Sequence, residues 1–433
     1  MSGPPGTASH DLGVAYPGIS PRLVIDGARA EDIGAYRSRG GYRPLRDAEA
    51  FVCEVEESGL RGRGGAAFPA GRKLRAVRAG DGVPVVVANG EEGEPASVKD
   101  RWLMRHRPHL VLDGLRLAAQ AAGTGDAHVF VSDPGSERSI RSALEAARKD
   151  PSFGVEVSIA RVAPAYVAGE ETAVVQALNG GPALPMDKPP RPFESGVGGR
   201  PTLVANVETL ANLPWVRRLG AAGYREVGTE KAPGTFLMTL TIRGRAGLYE
   251  IPFGTALRDV LAWLGEDAGA VRGFLMGGYF AGVVGEHALD VPLEYDTFAD
   301  LGSGLGCGAV VALGRDDCSV ATTAAVMAYF ARENAGQCGS CFNGTAAMSA
   351  VLQALRDQRA GAPDLERLRG WSTGLRGRGA CGTLDGATNV AAALLREFPE
   401  AVAAHLDGRC GICAGAGPAA APPAVAAMPA AGS

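Results

Sequence analysis

Val85-Val86-Val87-Ala88, entered through Pro84, is short, continuously apolar and mostly β-branched. A run of that kind reads as a strand covered on both faces, which belongs in a parallel sheet flanked by helices. The following segments keep the alternation. Val111, Leu115, Ala118 and Ala122 share one helical face, and Ala127 to Ser132 reads as a strand. Ile140, Leu144 and Ala147 form a second helical stripe, and Val155 to Val162 a further strand. The pattern is α/β with a largely parallel sheet. In such sheets ligands lie outside the carboxyl ends of strands, which here means Asn89-Gly90-Glu91-Glu92-Gly93-Glu94-Pro95.

Upstream, Ser58 to Lys73 holds five glycines and four cationic side chains in sixteen residues. Bare backbone N–H groups ringed by fixed positive charge suit a bound phosphate, and a solvated Gly/Arg surface loop is the plainer alternative. Gly62-x-Gly64-x-x-Ala67 passes a loose dinucleotide filter, but that fingerprint needs a buried strand before it, and Phe51 to Glu57 is too acidic for one. Three carboxylates, Glu91, Glu92 and Glu94, beside a phosphate site make sense if the ligand has two ends. An anionic tail would meet the glycines, while hydroxyls and a carboxamide would donate to the acids. A solvated acidic turn is the alternative.

A chain of 433 residues exceeds one hydrophobic core, so two or three domains are expected. A net charge of -4 offers no footprint for nucleic acid. No apolar run is long enough to span a bilayer, and Met1 to Ser20 lacks the regions of a signal peptide. A cytoplasmic protein without direct membrane insertion is expected. Residues 1–20 and the Ala/Pro-rich tail 411–433 read as disordered.

A second acidic loop, Tyr166-Val167-Ala168-Gly169-Glu170-Glu171-Thr172, precedes Lys188-Pro189-Pro190-Arg191-Pro192 and Asn206-Val207-Glu208-Thr209-Leu210-Ala211-Asn212. Together with the Gly/Arg loop, these motifs resemble those of the F subunit of NADH:quinone oxidoreductase (respiratory complex I), the component that binds FMN and NADH. That family is shared with diaphorase subunits of soluble hydrogenases and formate dehydrogenases, and the match runs from Tyr36 to Cys381. The resemblance implies a Rossmann-like FMN- and NAD(P)H-binding domain over 21–232, a ubiquitin-like β-grasp (SLBB-type) domain over 233–316 and a helical iron–sulfur domain over 317–410. It carries Gly62, Arg63, Gly64, Gly65 and Lys73 onto the FMN loop. Asn89, Glu91 and Glu92 match the isoalloxazine and ribityl contacts, with Glu91 where Asp is usual. Glu94 and Glu171 match acids of the NADH pocket that serve catalysis. Tyr166, Gly169 and Glu170 match the loop over the flavin, Asn206 and Thr209 a further FMN segment, and Lys188 a dinucleotide contact. Family members also sandwich adenine between aromatic rings. Phe68 is retained, but Ala76 and Arg191 stand where rings are expected, so the donor is either NADH or, with Arg191 meeting a 2'-phosphate, NADPH.

The last third reads as a four-helix bundle, over Thr322 to Arg332, Thr345 to Leu355, Leu365 to Arg369 and Ala387 to Glu397. Seven of the eight cysteines lie beyond residue 300. Cys338-x-x-Cys341 with a distant Cys381 suits a metal or iron–sulfur centre. The family binds a 4Fe-4S cluster with four cysteines. Cys338, Cys341 and Cys381 match three of them, and Ala335 replaces the other. A three-cysteine cluster with a foreign ligand, a 3Fe-4S centre and an empty relic remain open, with Cys307 the first substitute to test. Cys410-x-x-Cys413 is either a second small metal site or without role. Cys53 and Cys318 read as plain thiols, and His106 and His109 as a helix face.

The resemblance implies an NADH dehydrogenase (quinone)-type component of a hetero-oligomer. It would oxidise NAD(P)H at FMN and pass single electrons to an iron–sulfur partner, either a thioredoxin-like 2Fe-2S protein or a ferredoxin, with any attachment to the inner membrane made through partners. A protein exchanging electrons with a ferredoxin-like partner instead of NADH is the alternative, and a catalytically silent assembly subunit is the second.

Overall fold

The structure is a computed structural model that describes residues 13–25 and 30–414. Strands β1 (Gly13–Ala15), β2 (Val85–Asn89), β3 (Asp126–Val131), β4 (Glu156–Arg161), β5 (Thr202–Asn206), β6 (Thr235–Ile242), β7 (Arg245–Pro252), β8 (Val271–Met276), β9 (Val283–Gly285) and β10 (Ala309–Gly314) form two sheets.

The first sheet has the order β4-β3-β2-β5 and is parallel throughout. Val85 to Ala88 of β2 are fully buried, as a strand covered on both faces must be. From β2 the chain moves outward through β3 to β4, then returns to lay β5 on the other side of β2. That reversal is a switch point, and its register pairs Asn89 with Asn206 at the two carboxyl ends. Phe51 to Glu57 belong to helix Ala48–Glu57, so no strand leads into the Gly/Arg loop. Helix Pro108–Ala122 carries more than the expected stripe: it packs against helices Val207–Tyr224 and Ala48–Glu57 as well as β2, and is buried on nearly every face. Its buried polar groups are paired, Asp113 accepting from Arg116 Nη2 at 2.7 Å and from Tyr36 Oη at 2.7 Å.

The second sheet has the order β1-β7-β6-β10-β8-β9. β6 and β7 form an antiparallel hairpin, and β10 returns parallel to β6. The expectation of disorder over residues 1–20 fails for Gly13–Ala15, which add a parallel edge strand to β7. The reason lies at Glu250, whose buried carboxylate accepts from the backbone N–H groups of Arg22 (2.9 Å), Leu23 (2.8 Å) and Val24 (3.0 Å) and so clamps the segment after β1. Residues 1–12 lie outside the described residues.

The four helices expected near the end are present with wider bounds, Ser319–Glu333, Gly339–Arg356, Ala362–Gly374 and Thr383–Glu397. A further helix, Pro399–Leu406, extends the group beyond the four anticipated, and Gly411–Ala414 is helical where a disordered tail was expected. The rest of the tail lies outside the described residues.

The two sheets meet around one place. Glu208 Oε1 accepts from the Leu237 N–H at 2.9 Å, Thr239 Oγ1 accepts from the Val98 N–H at 3.2 Å, and Glu94 accepts from the Tyr279 N–H at 3.1 Å.

Candidate functional site

The Gly/Arg loop leaves helix Ala48–Glu57 and closes on itself. The Gly62 N–H donates to the Phe68 carbonyl and the Ala70 N–H to that of Leu60, each at 2.8 Å. At its tip Gly65 has φ +125°, a conformation that side-chain-bearing residues avoid, and the space where a Cβ would stand is open. Arg63 departs from expectation. Its N–H donates to Thr209 Oγ1 at 2.8 Å, but its side chain turns inward, donating to the Thr235 carbonyl at 3.1 Å and lying 4.5 Å over the Phe253 ring. Its charge answers buried Glu208, Nε to Oε1 3.8 Å, and is not offered to a ligand.

Beside the loop opens a cleft of about 720 Å³ at the carboxyl ends of β2 and β5. Gly62, Gly64, Gly65, Lys73, Asn89, Glu91, Glu92, Glu94, Tyr166, Gly169, Glu170, Glu171, Lys188, Asn206 and Thr209 all line it; Arg63 alone of the expected flavin and dinucleotide residues does not. Lys73 Nζ reaches Glu171 Oε2 at 2.9 Å and the Val204 carbonyl at 2.8 Å. Lys188 Nζ reaches Glu170 Oε1 at 2.6 Å. Asn89 Nδ2 donates to the Gly169 carbonyl at 2.8 Å, joining β2 to the second acidic loop. Asn206 caps helix Val207–Tyr224 through the Glu208 N–H at 3.0 Å.

The acids divide by partner. Each oxygen of Glu92 already accepts two hydrogen bonds, Oε1 from Ser97 Oγ (2.6 Å) and the Asp100 N–H (3.0 Å), Oε2 from the Arg101 N–H (3.1 Å) and Nε (3.0 Å). Glu92 thus fixes the start of helix Lys99–His106, and Arg101 and Lys99 hold its carboxyl below the ordinary range in spite of burial. Glu91 is the opposite case: neither buried oxygen has a partner in good hydrogen-bond geometry, and burial, with the charge of Glu92 adding, pushes its carboxyl up to about 8 against the weaker pull of the Ala165 and Gly93 backbone and the Ser132 side chain. Glu94 accepts from the Ala96 N–H (3.2 Å) and the Tyr279 N–H (3.1 Å), yet burial pushes it up to about 7. Its place depends on Gly278, at φ +73°, where a Cβ would lie 2.2 Å from the Glu94 Cδ. Glu171 is also desolvated, but Lys73 and Lys188 outweigh burial and hold it below the ordinary range.

Cys338 precedes helix Gly339–Arg356, buried Cys341 stands in its first turn, and Cys381 precedes helix Thr383–Glu397. Burial pushes the Cys341 thiol up to about 12, and Cys381 and Cys338 add to the effect, so the three thiols are electrostatic neighbours. The Ala380 N–H donates to Cys338 Sγ at 3.4 Å. These thiols are not all within 4.8 Å of one another, as one tetrahedral ion would require, since the only such group among the described residues lies elsewhere. Ala335 offers no donor to this trio. Cys381 also lines the cleft. Cys307 lines it too, its thiol pushed up to about 12 by burial and by Glu94, and it is not among the neighbours acting on Cys341.

The group missed from sequence is Cys318, His405, Cys410 and Cys413, whose donor atoms lie within 4.8 Å of one another. Cys318 is therefore no isolated thiol. The signal is His405-x4-Cys410-x2-Cys413, of which the expected small metal site at Cys410-x-x-Cys413 is one half.

The cleft suits FMN: bare glycine backbone with Lys73 at one side, and in its wall the buried Glu91 carboxyl, whose O–H and carbonyl oxygen the polar groups of a ligand would satisfy.

Comparisons with known proteins agree. Residues 55–215 match the family described as the Nuo51 FMN-binding domain, and residues 321–405 the NADH-ubiquinone oxidoreductase-F iron-sulfur binding region. The NADH-quinone oxidoreductase F 2 subunit of Rhizobium meliloti (strain 1021) is 34% identical over 402 residues, 87% of this chain and 95% of its own. The corresponding F subunit of Aquifex aeolicus (strain VF5) is 31% identical over 393 residues, 86% and 91% of the two chains. A solved NAD+-reducing NiFe-hydrogenase in the H2-reduced state aligns with a TM-score of 0.78 at 31% identity, covering 83% of this chain and 63% of the hydrogenase chain. With the flavin and iron–sulfur regions matched in order and relatives above 30% identity along most of its length, the chain belongs to the family of NADH-quinone oxidoreductase F subunits.

Proposed function

We propose that this chain is an electron-entry subunit. It oxidises NADH by hydride transfer to FMN and delivers single electrons, through an iron–sulfur centre on Cys338, Cys341 and Cys381, to an iron–sulfur partner of the thioredoxin-like 2Fe-2S or ferredoxin kind. The observation that carries this reading is a single cleft that contains the glycine loop, both acidic loops and Cys381. The reading treats 21–232 as a Rossmann-like flavin domain, 233–316 as a β-grasp spacer supported by the parallel return of β10 to β6, and 317–410 as the helical cluster domain. Attachment to a membrane would come through partners; no helix among the described residues is long and apolar enough to cross one.

When bound, FMN supplies an acceptor for two electrons that releases them singly, and the cluster an acceptor for one. The residues supply position and charge. The glycine loop offers amides and Lys73 a cation to the phosphate, as Asn89, Glu91 and Asn206 offer polar groups to the ribityl chain and ring. Glu94 and Glu171 both line the cleft, and their separate surroundings drive their protonation apart: Glu94 is neutral below about pH 7, whereas Glu171 stays ionised. Tyr166, edge-on to Tyr329 at 5.6 Å and Phe330 at 5.4 Å, closes the side towards the helical domain.

The raised acids set a pH dependence. Folded Glu91 and Glu94 keep protons that the unfolded chain loses above the ordinary carboxyl value of 4.5. Their stabilisation is therefore full below 4.5 and lost as pH rises through about 7 and 8. The flavin-free protein is expected to melt at lower temperature as pH rises from 5 to 8, less so in Glu91→Gln and Glu94→Gln; an equal slope in all three would refute the assignment. Ionising Glu94 also places negative charge near a dianionic dinucleotide. The KM for NADH is expected to rise through pH 7 in the native enzyme and to stay flat in Glu94→Gln.

Phe68 is 55% exposed at the cleft, with Ala76 and Arg191 also in its wall. A base–aromatic stack is worth about 1 to 3 kcal/mol, so Ala76→Phe is expected to lower the dissociation constant for NADH by roughly 5- to 150-fold. No tightening in a titration would place adenine elsewhere.

The reading is tested by anaerobic purification followed by an absorption spectrum, an iron count and titration with NADH and NADPH. A yellow-brown protein bleached by NADH supports it, and preference for NADPH would assign Arg191 to a 2'-phosphate. Bleaching by reduced ferredoxin alone would favour the alternative partner. A folded, colourless protein that refuses FMN would leave a silent assembly subunit.

A further inference from the structure

Four metal-type side chains converge where helix Ser319–Glu333 begins, outside the cleft. One donor atom from each of Cys318, His405, Cys410 and Cys413 lies within 4.8 Å of all the others. Cys318 and His405 are buried, 7% and 1% exposed. His405 Nε2 stands 3.4 Å from Cys318 Sγ and 3.4 Å from Cys413 Sγ. Its other ring nitrogen, Nδ1, lies 2.8 Å from the Ala401 carbonyl. A carbonyl only accepts, so Nδ1 carries the proton and the Nε2 lone pair faces the sulfurs. This is the arrangement of a metal-bound imidazole, with its outer N–H fixed by a second partner.

The distances fit one ion. A tetrahedral zinc with sulfur at about 2.3 Å and nitrogen at about 2.0 Å has S···N edges of about 3.5 Å. A disulfide would draw two sulfurs to about 2.05 Å, and all the cysteines here are free. The Cys410 backbone is also held: its N–H donates to Gln358 Oε1 at 3.2 Å, and its carbonyl accepts from Gln358 Nε2 at 3.4 Å.

We infer that Cys318, His405, Cys410 and Cys413 bind a structural zinc ion that staples the chain's last described segment to the first helix of the helical domain. Three thiolates and an imidazole fill a tetrahedron and leave no open position, which makes the site structural and not catalytic. It closes a loop of 87 residues from Cys318 to His405. The site is separate from the electron path. Cys318 caps the start of the 15-residue helix Ser319–Glu333, whereas Ala335 and Cys338 follow its end. Such a helix is about 22 Å long, so none of these four side chains supplies the ligand missing at Ala335.

The test is joint zinc, iron and flavin analysis of the full-length, tag-free protein purified anaerobically. About one zinc per chain is expected. It should vanish in Cys410→Ser/Cys413→Ser while FMN and iron persist, and remain in Cys53→Ser. The zinc-free variant should also be cut by protease between Leu406 and Cys413, where the native protein resists. If the double variant fails to fold, the native protein treated with a mercurial reagent provides the second measurement, since zinc should be released in step with thiol modification. Native protein without zinc, zinc that survives loss of both cysteines, or a disulfide found by thiol titration overturns the inference. So does iron held here when Cys338, Cys341 and Cys381 are all serine.

Discussion

Glu208→Gln is expected to destabilise the protein by about 3 to 5 kcal/mol, the cost of breaking a buried ion pair on one side. Glu208 is 1% exposed in its side chain and accepts from Lys99 Nζ at 3.0 Å, while Arg63 stands 3.8 Å away. Removing its charge leaves two cations buried, with Asp100 at 2.7 Å and the more distant Glu92 as the remaining acids acting on Lys99. It also weakens the bond from the Leu237 N–H at 2.9 Å, where the two sheets meet. Surface pairs behave otherwise. Arg61 and Asp296 are also close, 2.9 Å, but Asp296 is 55% exposed, and Asp296→Ala should cost at most about 1 kcal/mol. Chemical denaturation of the three proteins decides the matter. A Glu208→Gln chain as stable as the native one would show that the buried cluster holds a different charge state. Flavin affinity should fall in the same variant, because Arg63 anchors the glycine loop to Thr209.

Cys381→Ser is expected to reduce iron to background and abolish electron delivery to the protein partner, with FMN still bound and still reduced by NADH. The separation follows from the layout: Cys381 lines the cleft, but the groups expected to hold the flavin stand on β2, β5 and the loops beside them. Ala335→Cys should move iron content the other way, because it adds a thiol to a trio that lacks one. Iron analysis with electron paramagnetic resonance of the reduced protein reads both changes. Undiminished iron in Cys381→Ser would remove this residue from the ligand set.

The parts visible in the sequence were those specified by neighbours in the chain. Val85 to Ala88 announces a doubly covered strand by composition alone, and Ser58 to Lys73 announces an anion loop by its glycines and cations. Distant partners set what was hidden. Arg63 reads as a phosphate ligand until Glu208 and Phe253 draw it inward. Glu92 reads as a ligand contact until Ser97, Asp100 and Arg101 occupy its oxygens. β5 is five residues that run directly into the Asn206-Val207-Glu208-Thr209 motif, and β1 is three residues whose order depends on Glu250, remote in sequence. Cys318 and His405 are 87 residues apart, a separation at which spacing carries no information.

The clasp between Glu94 and the Tyr279 backbone, admitted by the missing side chain at Gly278, restricts how such proteins can be recombined. A designer grafting the flavin-side sheet onto a foreign neighbour would inherit the cleft yet misplace one acid of its wall. Chimeras should therefore retain activity only when the crossover point leaves residues 94 and 278 from the same parent.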